Sequence, residues 1–297
     1  VNSLICFSPE IMDTTDEEAM RNAVAAIISK VRTIAAFSYR KAMGLPFVYP
    51  DPARSYCENF LHMMFSIPHR PHQPTPEAVK ALNLFLMLHA DHEQNCSTST
   101  VRIVGSAETN LFSSVASGVC ALWGKLHGGA NVAVFEMLSR LANGDESVES
   151  FVERVKNKQA RLMGFGHRVY KTFDPRAKIL KKAVFDLLET ERADDPLINI
   201  ALKLEETALN DDYFKERHLY PNVDFYSGMI LRALRIPLNM YTVMFAIGRV
   251  PGWIAHWREG NEGARRLVRP RQLYQGAVET PFLPLDLRQD EEWDNEK

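Results

Sequence analysis

The sequence has no excess of basic charge. Its 35 Lys and Arg are set against 37 Asp and Glu, a formal net charge of −2. No broad positive field is available to neutralise a nucleic-acid backbone, so nucleic acid is not an expected partner. Cysteine is scarce: Cys6, Cys57, Cys96 and Cys120 lie far apart, with no Cys-x-x-Cys pair and no zinc-finger spacing. That pattern points to four reduced, mostly buried thiols in a cytoplasmic protein rather than to a disulfide framework. Glycine (15) and proline (16) are too few in 297 residues for a collagen-like or low-complexity chain. No apolar run approaches the roughly 18 residues of a membrane span. The longest candidate, 240–257, is broken by Arg249, Pro251 and His256. No basic stretch followed by an apolar one opens the chain, so no signal peptide is expected. The acidic, polar 289–297 reads as a solvated tail. Residue 1 is Val, so the chain is read as a processed product or a fragment.

Period-2 alternation bounded by turns is almost absent too, and helical periodicity takes its place. Thr15-Asp16-Glu17-Glu18 has capping-box form. After it, Val24, Ile27, Ile28, Val31 and Ile34 mark one helix face, which Gly44 and Pro46 stop. Thr75-Pro76 opens a helix whose later part, 81–88, is apolar nearly all round and is expected at the centre of the core. Val148, Phe151, Val152 and Val155 make another face. Asp174-Pro175 caps a further helix carrying Ile179, Leu180, Ala183, Val184, Leu187 and Leu188. More helices follow over roughly 196–209, 224–235 and 240–258. The chain therefore reads as all-α, and its length allows two domains, with 142–149 as a weak boundary.

Four polar segments interrupt the helices. In His89-Ala90-Asp91-His92-Glu93-Gln94-Asn95, polar groups follow an apolar helix and must find internal partners or a ligand. Two histidines and two carboxylates invite a metal, but His89 and His92 stand at i and i+3 with no third ligand placed, so no metal is assigned. In His127-Gly128-Gly129-Ala130-Asn131, two glycines let the backbone turn sharply beside a histidine. In 161–171, Gly164 and Gly166 offer a backbone cradle with Arg161, Arg168 and Lys171 close by, suited to an anionic ligand. It lacks the third glycine and preceding strand of a dinucleotide fingerprint. Arg176, in the first turn of the helix capped by Asp174, suits a carboxylate, unless it merely pairs with a neighbouring acid. Asp224, between a proline turn and an apolar helix, is either an N-cap or a desolvated general base.

Taken together these segments resemble citrate synthase. The matching strings are 89–95, 127–131, Gly164-Phe165-Gly166-His167-Arg168-Val169-Tyr170, Asp174-Pro175-Arg176, Tyr220-Pro221-Asn222-Val223-Asp224-Phe225-Tyr226-Ser227-Gly228 and Arg269-Pro270-Arg271-Gln272-Leu273-Tyr274. They span essentially the whole chain in the family's order. Trp253-Ile254-Ala255-His256-Trp257 points to the larger bacterial form, of which this chain then looks like the C-terminal two-thirds or so. The resemblance implies a large helical domain (1–129 and 235–297) with a small helical domain (130–234) inserted in it. The 142–149 stretch becomes a loop inside the small domain.

It also implies an acyltransferase of the citrate (Si)-synthase type in the tricarboxylic acid cycle. Such an enzyme joins acetyl-CoA to oxaloacetate and hydrolyses the thioester to citrate and CoA, without a cofactor. Asp224 matches the base, His127 the donor to the enol oxygen, and His167 the histidine that polarises the ketone. A thioester α-proton is weakly acidic, so base and enol stabiliser must act together in a dry site. His92, His167, Arg176 and Arg249 match the oxaloacetate ligands, with Arg269 reaching in from the second subunit of a homodimer, which in some members builds a hexamer. Ala160, Arg161, Leu162, Met163, Gly164 and Lys171 match the CoA-binding positions. Larger bacterial members are often allosteric, and such regulation is an expectation here. The alternatives are a 2-methylcitrate synthase using propionyl-CoA, a metal-dependent hydrolase built on the His89–Glu93 cluster, and a non-enzymatic helical scaffold.

Overall fold

Helix-start chemistry sets the first boundaries. In the computed structural model, which describes residues 1–7, 16–167, 170, 172–191, 195–262, 266–279 and 281–287, Asp16 caps α1 (Glu17–Ala42) by accepting the Glu18 N–H. The cap is thus one residue later than the capping-box pattern suggests, and Thr15 lies outside the described residues. α1 ends on a left-handed glycine: Gly44 has φ +67, and the Gly44 and Leu45 N–H groups bond back to the Lys41 and Arg40 carbonyls. This is the glycine stop expected from the sequence. Thr75 caps α3 (Pro76–His89) through its hydroxyl.

The described elements are helical, with two isolated bridges and no strand among them. After α1 come α2 (Tyr56–Phe65), α3, α4 (Cys96–Gly105), α5 (Leu111–Trp123), the single turn α6 (Lys125–Gly128), α7 (Ala130–Ala142) and α8 (Val148–Lys156). Then follow α9 (Pro175–Glu191), α10 (Pro196–Asn210), α11 (Asp212–Glu216), α12 (Val223–Ala233) and α13 (Tyr241–Asn261). No described helix is long and apolar enough to cross a membrane. The chain divides into two units, 1–267 and 268–297. The first holds the helical core. In the second, the described residues from 268 to 286 are exposed.

Several sequence expectations are corrected by packing. α3 is not enclosed: Ala81, Leu82 and Phe85 are buried, but Met87 is 63% exposed. Ile34 and Ile179 also point outward, because the buried faces of their helices run through Ala35 and Ala36, and through Leu180, Ala183 and Val184. The thiols are not mostly buried: all four are free, Cys57 is buried, and Cys6, Cys96 and Cys120 are exposed. Of the 142–149 stretch, residues 143–147 link α7 to α8.

One very close helix contact positions the site. α13 presents Gly248 and Gly252, one turn apart, to the C-terminal end of α3. A Cβ on Gly252 would stand 2.0 Å from the Ala90 carbonyl oxygen, and one on Gly248 would stand 3.1 Å from His89 Cβ. Only bare backbone lets the helices meet this closely. Gly252→Ala is therefore expected to destabilise the fold by about 1–3 kcal/mol. Calorimetry should show a clear drop in Tm, and an unchanged Tm would contradict this packing.

Candidate active site

The first half of the site is a strap of backbone. Gly164 and Gly166 both adopt positive φ, +78 and +77. A Cβ on Gly164 would lie 2.8 Å from Val134 Cγ2 and 3.1 Å from the Phe225 side chain. These glycines bring the chain onto 220–222. The Gly166 N–H donates to the Tyr220 carbonyl at 2.8 Å, the Asn222 N–H donates to the Gly164 carbonyl at 2.9 Å, and Phe165 bridges to Pro221. The Asn222 side chain completes the strap by donating Nδ2–H to the Gly166 carbonyl at 2.9 Å. Within the segment, the Gly166 N–H and the Gly164 and Gly166 carbonyls are thus committed to internal bonds.

The strap fixes the start of α12. Asn222 is its N-cap, with Oδ1 accepting the Asp224 N–H at 3.0 Å. Asp224 is consequently not the cap, and its carboxylate is released from that duty. Protein atoms surround it on nearly all sides, although part of its surface still reaches solvent. Among the described residues no hydrogen-bond donor is found on its carboxylate. Burial pushes its pKa up to about 6, opposed by Arg176 and Arg249.

Asp174 ties α9 to the same place. Its Oδ2 accepts the Val223 N–H of α12 at 3.0 Å and Arg176 Nη2 at 2.9 Å. Its Oδ1 accepts the Arg176 backbone N–H and Nε at 3.0 and 3.1 Å. Burial alone would raise the Asp174 carboxyl, but Arg176 and the two backbone donors outweigh it and hold the group below its ordinary range. Arg176 does pair with a neighbouring acid, and that pairing anchors its guanidinium near Asp224.

Three histidines belong to the same region. The ring centroids of His92 and His167 lie 5.1 Å apart, with Tyr170 against both at 5.9 and 4.7 Å. His167 Nδ1 accepts the Tyr170 N–H at 3.2 Å, which leaves the proton of the neutral ring on Nε2. On α6, His127 Nε2 accepts the Ser97 N–H at 3.2 Å and lies 2.8 Å from Ser97 Oγ. Its neutral ring therefore carries the proton on Nδ1. Ser97, fully buried, accepts a hydrogen bond from Trp253 Nε1 at 3.1 Å. Burial lowers the pKa of all three rings, reinforced at His127 by Arg249, at His167 by His92, and at His92 by Arg176 and Arg249. Near pH 7 the site thus presents neutral imidazole N–H donors.

Arg249 enters the same region from α13, near His92, His127 and Asp224. It is 3% exposed, donates Nε–H to the His89 carbonyl at 2.6 Å, and lies over the Phe245 ring at 5.0 Å. Among the described residues no carboxylate stands within ion-pair distance of it. Burial lowers its pKa to about 10. His89 is itself fully buried, stacked on Phe85, and pushed down to about 3 by burial. Among the described residues no group of three or more His, Cys, Asp or Glu is arranged to hold a metal ion.

The structure thus gathers His92, His127, His167, Arg176, Asp224 and Arg249. Arg269 falls in the second unit. Lys171 and Arg168 lie outside the described residues. Of the 160–164 segment, Arg161 is exposed, whereas the Leu162 side chain is buried, so Leu162 offers a ligand only its backbone. Two supporting residues were missed by the sequence patterns. Asp174 reads there only as a helix cap. Ser97 carries no local signal at all, because its role depends on a contact with His127 thirty residues on.

Residues 1–271 match the family described as citrate synthase, C-terminal domain. The chain belongs to the citrate synthase family. It is 52% identical over 291 residues to Citrate synthase 1 of Mycobacterium tuberculosis, covering 97% of this chain and 68% of that protein. It is 50% identical over 292 residues to the citrate synthase of Corynebacterium glutamicum, covering 97% of this chain and 67% of that one. Among solved structures, the citrate synthase of Pyrobaculum aerophilum superposes with a TM-score of 0.81 at 39% identity, over 92% of this chain and 65% of that one. The Thermoplasma acidophilum citrate synthase was solved as a ternary complex with carboxymethyl coenzyme A and oxaloacetate. It superposes with a TM-score of 0.80 at 35% identity, over 92% of this chain and 70% of that one. The chain spans about two thirds of the length of these citrate synthases.

Proposed function

We propose that this chain carries the condensing site of a citrate synthase. The observation behind this reading is a carboxyl group raised to about 6, Asp224, and a neutral His127 whose free ring donor is Nδ1–H, both within the field of Arg249. Asp224 takes a proton from the acetyl methyl of acetyl-CoA, while His127 Nδ1–H bonds the oxygen that becomes the enol. The enol carbon then attacks the ketone carbon of oxaloacetate, forming the new C–C bond. The ketone oxygen takes its proton from His167 Nε2, giving citryl-CoA. Water adds to the thioester carbon, the C–S bond breaks, and citrate and CoA leave. Each step needs only acids, bases and donors of the chain, so no cofactor is assigned.

Arg176, Arg249 and His92 receive the oxaloacetate carboxylates and ketone, and Arg269 reaches in from the second subunit of a homodimer. CoA lies along Ala160, Arg161, Leu162, Met163 and Gly164, with Lys171 toward a phosphate. The inserted domain, 130–234, closes on the remainder. The enol attacks the si face of the oxaloacetate ketone, and the enzyme is cytoplasmic and serves the tricarboxylic acid cycle. A thiol-release assay tests the reading. CoA should appear only with both acetyl-CoA and oxaloacetate present, and kcat/KM should be higher with acetyl-CoA than with propionyl-CoA. The opposite ratio would reassign the chain to 2-methylcitrate synthesis, and no thiol with either would leave a scaffold.

A further inference from the structure

Asn131 is the polar residue of the His127–Asn131 string for which the reaction above has no use. It sits in the first turn of α7, 1% exposed, and neither its Nδ2 nor its Oδ1 has a hydrogen-bond partner among the described residues. An unpaired buried amide is destabilising, because its hydration is lost without replacement. A leucine of nearly the same shape would avoid that loss. Buried polar groups in folded proteins almost always find partners, so an exception of this depth calls for a reason.

The neighbourhood supplies one. The Asn131 carbonyl oxygen lies 3.6 Å from where a Cβ on Gly228 would stand, so α7 begins directly against α12. Gly228 is one helical turn beyond Asp224, on the same face. Val134, one turn beyond Asn131, packs on Gly164, at the strap that fixes the start of α12. Two facing helices therefore carry complementary unmet needs: an amide with no acceptor on α7 and a carboxylate with no donor on α12. The charges around Asp224 are Arg176 and Asp174 at the start of α9 and Arg249 on α13. α3 adds only His89, which is neutral, and on α7 Glu136 and Arg140 are exposed.

We propose that Asn131 is a positioning residue for Asp224, its amide N–H bonding the carboxylate once substrates are bound. This deepens the proposed function and rests on it. The bond would hold one carboxylate oxygen, leaving the other aimed at the substrate, and would favour the charged form of the base.

The test is Asn131→Leu, with Asn131→Asp as a second variant. With Asn131→Leu, kcat should fall about tenfold, the loss of roughly one charge-assisted hydrogen bond. The acid limb of kcat should move up by about one pH unit, since the carboxylate loses a donor. The Tm of the ligand-free protein should stay level or rise. Asn131→Asp should move the limb further up, because a second carboxylate faces the first. A lowered Tm with the acid limb unmoved would make Asn131 merely structural and overturn the inference, as would an unmoved limb in Asn131→Asp. A wild type that releases no thiol would remove the functional reading and this inference with it.

Discussion

Replacing Asp224 with Asn is expected to lower kcat by about 10²–10⁴-fold, the usual share of a general base, while oxaloacetate still binds. In the proposed reaction the base touches the acetyl group, and the dicarboxylate is left to Arg176, Arg249 and the histidines. Stability should move the other way. The Asp224 carboxyl is raised to about 6 in the fold from an ordinary value of 3.8. Below the lower value it is protonated in both folded and unfolded chains and has no effect. Between the two values the unfolded chain has released its proton and the folded chain has not, so stability is lost as pH rises to about 6. An amide carries no charge at any of these pH values. Asp224→Asn should therefore raise Tm above pH 6 and leave it unchanged near pH 3. A variant with near-normal kcat would refute the role of Asp224. Equal Tm differences at both pH values would refute its raised pKa. In the wild type, kcat should climb with pH through an acid limb set by the same group.

Arg249→Met is expected to weaken oxaloacetate binding by about 10²–10³-fold, the effect of losing two hydrogen bonds from a charged donor to a carboxylate. The guanidinium is buried, lies over Phe245, and spends its Nε–H on the His89 carbonyl. A charge buried without a counterion is destabilising, which is why burial drags its pKa down to about 10. In the proposed function a bound carboxylate supplies the missing countercharge. Methionine fills similar volume without the charge, so the ligand-free variant should melt no lower than wild type even as it loses its ligand. Calorimetric titration with oxaloacetate reads the affinity and a thermal scan reads the stability. Unchanged affinity would take Arg249 out of the binding site.

Helix content was plain in the sequence because three-and-four spacing survives any tertiary context: Val148, Phe151, Val152 and Val155 are all buried as their spacing implies. Which way marginal residues face was less plain. Ile34, Met87 and Ile179 are apolar yet exposed, because the neighbouring helix, absent from local pattern, decides what is covered. In the candidate site, histidines and arginines stood out by residue type and motif. Their supports did not. Asn222 takes the capping role that Asp224 could have had, and Ser97 sets the proton position on His127. Asn222 is held by a strap from 164–166, and Ser97 by a helix beyond α12, so both depend on segments far apart in the chain. For Arg176 the sequence offered two readings, carboxylate ligand or partner of an acid, and the fold shows the second through Asp174.

The strap between 164–166 and 220–222 has one more consequence. The polypeptide leaves at Gly166 and returns to the same point at Tyr220, so the stretch between them is a closed excursion with its two ends stitched together. Lengthening a flexible excursion changes its closure entropy only slowly. The register at which 164–166 meets 220–222 is therefore set at the stitch itself, not by the length of the chain between its two ends. Relatives should differ in length there far more readily than at the stitch itself.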